Sequence, residues 1–373
     1  MSATTTGAVP IYEGQDFYVP AFEVKLAGRP AGRDVVRDIL SVTYKDSVQE
    51  IDSFEIAINN WDAETRNFKY SDRKLFDPGE QLELSMGYRG ALRTMLRGDI
   101  TSLRPSFPAA GGSTLAVSGL NVLHRFRTQQ ESRTYADMTD SEIAEQVAQR
   151  LKVKIETVKA PDEPRMKYLI QDNQYDIIFL MERARRSGYD ILVEERPAGD
   201  SAETVLVYRP STTVHHPAYR LTYGKSLIEF SPELTTANQV SKVTVRGWDN
   251  VRKEPINYTA TRAELATKGI GARGGQDAIE KSIEQKAEIV ATRPVESDAE
   301  ARKLAIEILE GIAKEMVKAN GSVPGLNDLR AGTVLQIDGV GDRFSGRYFV
   351  VSTTHSIGDG GYTTQFECRR EEV

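Results

Sequence analysis

The sequence predicts an α+β protein that is mainly β, with two related small β-barrel domains, a small α+β middle domain and a long amphipathic helix. Three observations support this fold class. Apolar and polar residues alternate with period 2 in many short segments, as in half-buried strands. Helical periodicity appears in only a few stretches. Two β segments far apart in the chain also resemble each other.

The length of the chain indicates more than one domain, because a single hydrophobic core rarely organises 373 residues. We expect a flexible N-terminal arm at residues 1–20, a first β-barrel domain at 21–130 and an α+β middle domain at 131–225. A second β-barrel domain is predicted at 226–373, with a helical insertion at about 259–319.

The first barrel is predicted from alternating segments that turn-forming residues separate. Phe54, Ile56 and Ile58 alternate with their neighbours, and the same pattern recurs after the Pro78-Gly79 turn. Strands at this spacing are typical of a small barrel or sandwich.

Two helices and a hairpin are predicted for the middle domain. Thr139 and Glu142 form a capping box, which opens a helix over about 139–151. A second helix runs over about 175–187, with Gly188 as its C-cap. The hairpin follows, turning at 197–200.

A long amphipathic helix is predicted after the capping box of Ser297 and Glu300. We expect it to end at Asn320-Gly321, because glycine is common just past a helix C-terminus. Its apolar stripe contains Ala301, Ala305, Ile308, Ile312 and Met316.

The two similar β segments lie at 76–120 and 329–368. Each has a turn glycine before an alternating strand and a second glycine leading into the next strand. These glycines are Gly79 and Gly98 in the first segment, and Gly332 and Gly346 in the second. One interpretation is a duplicated barrel, and the alternative is that any two β-meanders share turn glycines.

Charge and cysteine content narrow the possible functions. The net charge of −6 argues against a general nucleic-acid binder, which needs a basic face. Cys368 is the one cysteine, so neither an internal disulfide nor a zinc site of several thiolates is possible. The first ten residues lack the pattern of a signal peptide, and no apolar run is long enough to span a bilayer.

We expect no catalytic residues, no cofactor and no metal site. Gly269, Gly271 and Gly274 match a dinucleotide-binding spacing, but no strand precedes them, so a mobile loop is the better interpretation. His215-His216 precedes a proline with no third ligand nearby, which indicates a surface turn.

Two adjacent glutamates and one tryptophan are the remaining candidate residues. Glu194 and Glu195 are adjacent strand residues that point to opposite faces, so they cannot flank one glycosidic bond. Trp248 is expected to be a core anchor, with an interface anchor as the alternative. On the interface alternative, the candidate interface residues are Trp248 and the glycines at 269, 271 and 274.

The chain resembles the phage late control protein D family, which includes the tail hub of contractile phages and the hub portion of the type VI spike protein VgrG. The resemblance covers roughly residues 20 to 370. The segments that carry it are Ser53–Ile56, Phe76–Tyr88, Leu96–Thr101, Met138–Ile143, Gln171–Gly188, Pro324-Gly325, Leu329, Gly332 and Gly346–His355.

This resemblance implies a non-enzymatic baseplate hub of a phage tail or phage-tail-like injection system. It implies a homotrimer in which two barrels per chain form a pseudo-six-fold ring around an axial channel. The ring would join the six-fold inner tube, or its initiator protein, to a three-fold spike and to other baseplate proteins. Because the chain ends at Val373, directly after the last hub strand, the spike is expected to be a separate protein.

The resemblance also implies assembly in the cytoplasm of the producing bacterium, followed by residence in the baseplate. Membrane insertion and sequence-specific nucleic-acid binding are not expected. Two alternatives stay open at this point, namely a tail-associated cell-wall hydrolase and a carbohydrate- or receptor-binding tail module. The sequence leaves phage and injection system undistinguished.

Overall fold

Strands predominate in the computed structural model, which confirms the prediction of a mainly β chain with helices. The structure describes residues 9–11, 19–72, 75–127, 129–161, 163–198, 201–210, 218–249, 252–265, 281–283, 289–292, 295 and 297–370.

The α-helices with defined bounds are α1 (Arg33–Asp38), α2 (Asp140–Leu151), α3 (Asp176–Ser187) and α4 (Asp298–Lys314). The strands of the first half are β1 (Val9–Pro10), β2 (Pro20–Leu26), β3 (Arg29–Pro30), β4 (Ile39–Ser47), β5 (Ser53–Asn59), β6 (Trp61–Asp62), β7 (Asn67–Phe68), β8 (Gln81–Tyr88), β9 (Ala91–Ser106), β10 (Thr114–Asn121), β11 (Gln130–Tyr135), β12 (Lys154–Thr157) and β13 (Leu169–Tyr175). The remaining strands are β14 (Tyr189–Ala198), β15 (Ser201–Pro210), β16 (Tyr219–Thr222), β17 (Glu229–Leu234), β18 (Lys242–Asp249), β19 (Glu254–Thr261), β20 (Ile289–Thr292), β21 (Val317–Pro324), β22 (Val334–Asp338), β23 (Gly346–Gly358) and β24 (Gly361–Arg370).

One sheet of 14 strands dominates the fold. Its hydrogen-bonded order is β1-β16-β22-β23-β4-β5-β10-β9-β8-β2-β3, and β24, β21 and β17 branch in turn from β23. Over the described residues this is an open path without a closed barrel, so the predicted barrels are not confirmed.

Two sets of five strands within this sheet share one topology. The first five-strand unit has the order β4-β5-β10-β9-β8, and the second has the order β17-β21-β24-β23-β22. All neighbours within both units are antiparallel. The strands of the two units also occur in the same relative order along the chain, so the second unit repeats the connectivity of the first.

The hydrogen bonds around the turn glycines are the same in both units. The Gly79 amide donates to the carbonyl of Ile100 at 2.8 Å, and the Gly332 amide donates to the carbonyl of Val350 at 2.9 Å. A second hydrogen bond runs in the other direction in each unit. The amide of Ile100 or Val350 donates to the carbonyl of the residue that follows the glycine, at 2.9 Å in both units. Ile100 therefore corresponds to Val350.

A β-bulge follows at the same place in both units. Thr101 is the extra residue of β9 opposite β10, and Val351 is the extra residue of β23 opposite β24. Each bulge comes directly after the matched pair, Ile100 or Val350. Because a bulge has a specific position in a ladder, this coincidence supports the duplicated unit over a chance likeness of two meanders.

The sequence comparison of the two units is nevertheless wrong by two residues at one point. Gly98 pairs with Leu82, and the residue at the corresponding place in the second unit is Tyr348. Gly346 pairs with Ile337 at the opposite end of β22. Gly98 also lies within β9 rather than in a turn. A Cβ at this position would lie 2.0 Å from the carbonyl oxygen of Leu120, so the neighbouring strand leaves room only for glycine.

Four hydrophobic clusters organise the described chain. One fills the first five-strand unit, and another fills the second. A third joins α2 and α3 to β14 and β15, and the fourth joins α4 to β18 and β19. In the third region, the Thr139–Glu142 capping box, the left-handed Gly188 C-cap and the β14–β15 hairpin confirm the sequence predictions.

The long helix ends earlier than predicted, at Lys314. Asn320 and Gly321 lie within β21 rather than at a helix end. The Phe366 ring occupies the place where a Cβ on Gly321 would stand, 2.4 Å away, so this glycine serves strand packing. Within the described residues, none of the helices has the length and apolarity needed to cross a membrane. The fully buried residues of the helix are Ala301, Ala305, Leu309 and Ala313, while the predicted Ile308 and Ile312 are partly buried and pack against the same cluster.

Candidate functional site: the seam between the two units

The two five-strand units meet edge to edge along β4 and the outer half of β23. The antiparallel register runs from Ser47 opposite Ser352 to Val42 opposite Ile357. The Val48 amide extends this ladder by donating to the carbonyl of Val351 at 3.0 Å. We call this junction the seam, and it makes the two units one continuous sheet.

A buried ion pair lies at the seam. The Arg330 Nε donates to Asp46 Oδ2 at 2.6 Å, and the Ala331 amide donates to the same oxygen at 3.1 Å. The Thr353 hydroxyl donates to the other oxygen of Asp46. Because Asp46 is only 5% exposed, its charge depends on these donors rather than on water.

Tyr44 connects this ion pair to a second carboxylate. The guanidinium carbon of Arg330 lies 4.7 Å from the centroid of the Tyr44 ring, and an Arg330 nitrogen donates to the Tyr44 hydroxyl. That hydroxyl donates to Asp52 Oδ2 at 3.1 Å. One arginine thus links the first unit, which supplies the two carboxylates, to the loop between β21 and β22 of the second unit.

His355 continues the polar network along β23. Its Nε2 lies 3.0 Å from the carbonyl oxygen of Leu329, which can only accept, so Nε2 carries the proton. Its Nδ1 then accepts from the Tyr362 hydroxyl at 3.0 Å or the Thr364 hydroxyl at 3.1 Å. Burial lowers the pKa of His355 to about 4, so the ring is neutral at pH 7.

Burial and mutual charge perturb the ionisable groups of the seam. Burial, reinforced by the negative charge of Asp46, raises the pKa of Asp52 to about 7. Burial alone would lower the pKa of Arg330, but Tyr44, Asp46 and Asp52 more than offset it and raise that pKa. Arg330 is therefore a permanent cation that balances a changing amount of negative charge.

A cavity of about 210 Å³ opens beside the seam, with Asp46, Asp52, Glu195 and Arg330 among its lining residues. Burial raises the pKa of Glu195, whose carboxylate accepts from the Thr204 hydroxyl at 2.9 Å. Chemically, the cavity presents acidic groups, but Asp46 is already bound by three donors of the protein. This arrangement suits a structural clamp better than a site for substrate.

The predicted site residues lie in different places. Gly79 and Gly332 are turn residues with φ of +96° and +82°, as expected of turn glycines. Gly98 lies inside β9 and Gly346 begins β23. The expectation of a buried Trp248 is wrong, since this side chain on β18 is 49% exposed.

Several other predictions can be placed as well. His124 follows β10 and forms a hydrogen bond of 2.7 Å with Asp99. Across the part of the chain that the structure describes, no group of three or more His, Cys, Asp or Glu residues is placed to hold a metal. Gly269, Gly271, Gly274, His215 and His216 lie outside the described residues.

Sequence reasoning missed the seam cluster. Tyr44 and Asp46 follow Val42 on the buried face of β4, and Thr353 and His355 occupy buried positions on β23. Polar residues at alternating buried positions of two strands were the available signal. The signal is weak, because 284 residues separate Asp46 from its partner Arg330.

The fold is similar to those of phage tail and type VI secretion proteins. The 43 kDa tail protein of prophage MuSo2 from Shewanella oneidensis matches with a TM-score of 0.68 and 13% identity, over 94% of this chain and 98% of that one. A tail protein from Neisseria meningitidis MC58 matches with a TM-score of 0.69 and 14% identity, over 95% and 97%. An E. coli component of the type VI secretion system matches with a TM-score of 0.56 and 12% identity, over 94% and 77%. At these identities the likeness concerns the fold.

No curated protein sequence matches the chain. One family model does, over residues 19–359, and its description is Alg8 N-terminal domain. This is a different model from that of the late control protein D family, which the sequence resembles. Because the match spans most of its length, the chain belongs to the Alg8 N-terminal domain family.

Proposed function

We propose that the chain is a structural hub protein of a contractile phage tail or a related injection system. The observation that carries this proposal is the repeated five-strand unit, with its matched hydrogen bonds and bulge. Three chains with two such units each can present six similar units around one axis, and closed rotational symmetry is the usual state of homo-oligomers. The likeness of the fold to tail proteins supports the same conclusion.

The hub would be a homotrimer of the late control protein D type, with an axial channel. One face would bind the six-fold inner tube or its initiator protein, and the other a separate three-fold spike, with further baseplate proteins around them. Its domains would be those predicted from the sequence at 1–20, 21–130, 131–225 and 226–373, with a barrel built around each unit. The chain would assemble in the bacterial cytoplasm and end in the baseplate, without enzymatic activity or a cofactor.

Trp248 is one of the large apolar residues that the described chain exposes, which suits it to contact another protein. We propose it, together with the segment that contains Gly269, Gly271 and Gly274, as part of the contacts made on assembly.

Native mass spectrometry of the purified chain tests the proposal. Three chains of 41.5 kDa give a particle of about 125 kDa, which we expect to be the main species or to form when a spike protein is added. A chain that remains monomeric alone and with tail partners would contradict the hub.

The cavity beside the seam favours one alternative, a tail-associated cell-wall hydrolase. A carboxyl group whose pKa is raised to about 7, next to a second carboxylate, is the pattern of a general acid paired with a base. Release of peptidoglycan fragments by the purified chain, lost in Asp52→Asn, would establish this alternative. The donors already bound to Asp46 argue against it.

An exposed aromatic group favours the other alternative, a carbohydrate-binding tail module. The Phe68 ring lies 5.6 Å from Trp61 and 4.8 Å from Phe107, and the two outer residues are 36% and 57% exposed. Binding of cell-surface glycans by the wild type, lost in Trp61→Ala, would support it.

A further inference from the structure

Several strand edges of the main sheet have a ladder on one side only in the described part of the chain, among them β17 and the outer part of β9. Among the strands that the structure describes, β17 pairs only with β21. The outer part of β9, residues 102–106, pairs with β10, while β8 pairs with β9 only as far as Asp99. An unpaired edge presents amide and carbonyl groups to a further strand, so such edges are covered, blocked or used for assembly.

These two edges are the counterparts of the two strands that form the seam. β17 occupies in the second unit the position that β4 occupies in the first. Pro232, which pairs with Ala319, corresponds to Tyr44, which pairs with Phe54. The outer part of β9 takes the place of the outer half of β23, because both begin after the matched bulges. The seam is therefore an internal example of the contact that the two open edges could make.

We propose that β17 of one chain pairs with the outer part of β9 of a second copy, antiparallel and in the register of the seam. This inference rests on the proposed trimeric hub and names the strands that would close it. Around a ring of three chains, this contact would alternate with the seam. Since one edge meets a different edge, the contact is heterologous, and such contacts close into rings when the rotation permits.

The face of the seam that points to the hydrophobic clusters supports this pairing. Val42 and Ile357 are buried opposite each other in the seam. Their counterparts are Phe230 and Phe107, both aromatic, and Phe107 is 57% exposed in the single chain. Pairing would cover this exposed ring with an apolar partner.

At the next position on that face, the seam has polar residues where the proposed contact has apolar ones. Asp46 and Thr353 face each other in the seam, next to Arg330. Their counterparts are Leu234 and Leu103, each partly buried against its own unit. A contact between chains would thus avoid burying a second ion pair, whose desolvation is costly.

The opposite face supplies polar and charged complements. Thr43 and Ser356 face each other in the seam, with their hydroxyl groups 3.4 Å apart. Their counterparts, Ser231 and Ser106, are also hydroxyl residues, and both are exposed. One step along, Glu233 of one copy would lie opposite Arg104 of the other, and opposite charges directly across a ladder are favourable.

In the proposed contact between chains, both residues of the central pair are prolines. Tyr44 faces His355 in the seam, and the counterparts are Pro232 and Pro105. In the seam this is a hydrogen-bonded pair, because the Val48 amide bond fixes the alternation along the ladder. Proline has no amide hydrogen, so each edge is a poor template for unrelated strands, and the proposed register confines the missing bonds to one pair.

Engineered cysteines test the register directly. Ser231→Cys combined with Ser106→Cys places two thiols at a non-hydrogen-bonded pair, where Cα atoms lie about 4.5 Å apart, within the range of a disulfide. The native Cys368 is buried and stays in place. Mild oxidation should convert the double variant into disulfide-linked trimers, while each single variant stays unlinked, because a heterologous contact never brings like positions together.

Three controls accompany the double variant. Thr43→Cys with Ser356→Cys should form a disulfide within one chain, since these residues face each other in the seam. Ser231→Cys with Ser102→Cys is out of register by four residues and should not cross-link. Charge reversal, Glu233→Arg or Arg104→Glu, should raise the concentration at half-assembly by up to about fivefold per interface, and the double reversal should restore it.

The outcomes separate this inference from the function on which it rests. Linked trimers from the in-register pair alone support the strand pairing. A trimer in solution that does not cross-link at this pair, or that cross-links equally out of register, overturns the pairing and leaves the hub intact. A chain that is monomeric at every concentration, alone and with tail partners, overturns both.

Discussion

Arg330→Met keeps much of the side-chain volume at the seam but removes the cation that faces Asp46. The carboxylate of Asp46 would then be 5% exposed without its ionic partner, and Tyr44 would lose a donor as well. Breaking one side of a buried ion pair costs about 3–5 kcal/mol, because the remaining charge stays desolvated. We expect the free energy of unfolding to fall by this amount.

Arg93→Met is the matched control. Arg93 pairs with Asp328 and so ties the same loop to the same unit, but these side chains are 47% and 49% exposed. An exposed pair contributes about 0–1 kcal/mol. Urea unfolding at pH 7, followed by circular dichroism, compares the two variants.

A double variant isolates the charge. Asp46→Asn combined with Arg330→Met removes the charge of Asp46 together with the cation that balances it, so part of the lost stability should return. If Arg330→Met and Arg93→Met lower the free energy of unfolding equally, or if Asp46→Asn brings no recovery, the seam is not held by a buried ion pair.

Two further predictions concern single positions. Gly98→Ala places a methyl group 2.0 Å from the Leu120 carbonyl oxygen, so it should lower the free energy of unfolding by at least about 2 kcal/mol, measured by thermal or urea unfolding. Gly112→Ala is the control, because the nearest atom to its added methyl group is 3.9 Å away. This variant should change the free energy of unfolding by less than about 0.5 kcal/mol. The pKa of Asp52 is raised from 3.8 to about 7, so its contribution to stability is full below about pH 4 and is lost as pH rises through 7. Asp52→Asn should therefore flatten the decline of the urea midpoint between pH 4 and pH 7, and an unchanged slope would contradict the raised pKa.

The repeated unit was accessible from sequence because its strands alternate and its turns need glycine. Gly79 and Gly332 adopt positive φ, a requirement that acts locally and so appears in the sequence. The sequence match between Gly98 and Gly346 was wrong, because Gly98 is required by the close backbone of a neighbouring strand rather than by a turn. A close approach of this kind depends on tertiary contacts, and Tyr348 fills the corresponding position in the other unit.

Local patterns also misled where distant packing decides the structure. Asn320-Gly321 has the character of a helix end, yet the Phe366 ring requires a glycine at that place in a strand. Trp248 lies on a strand with the apolar alternation of a core element, yet its side chain is exposed. The seam could not be predicted, because it depends on which strand edges meet.

The central claim is that one chain carries the same five-strand unit twice, so that three chains imitate a six-fold ring. Electron microscopy of the purified assembly, viewed along its axis, tests this most directly. We expect a closed ring of six similar lobes built from three chains, in which the seam joins the two lobes of each chain. A ring with another number of lobes, or a particle in which the two units of a chain lie at different radii, would contradict it.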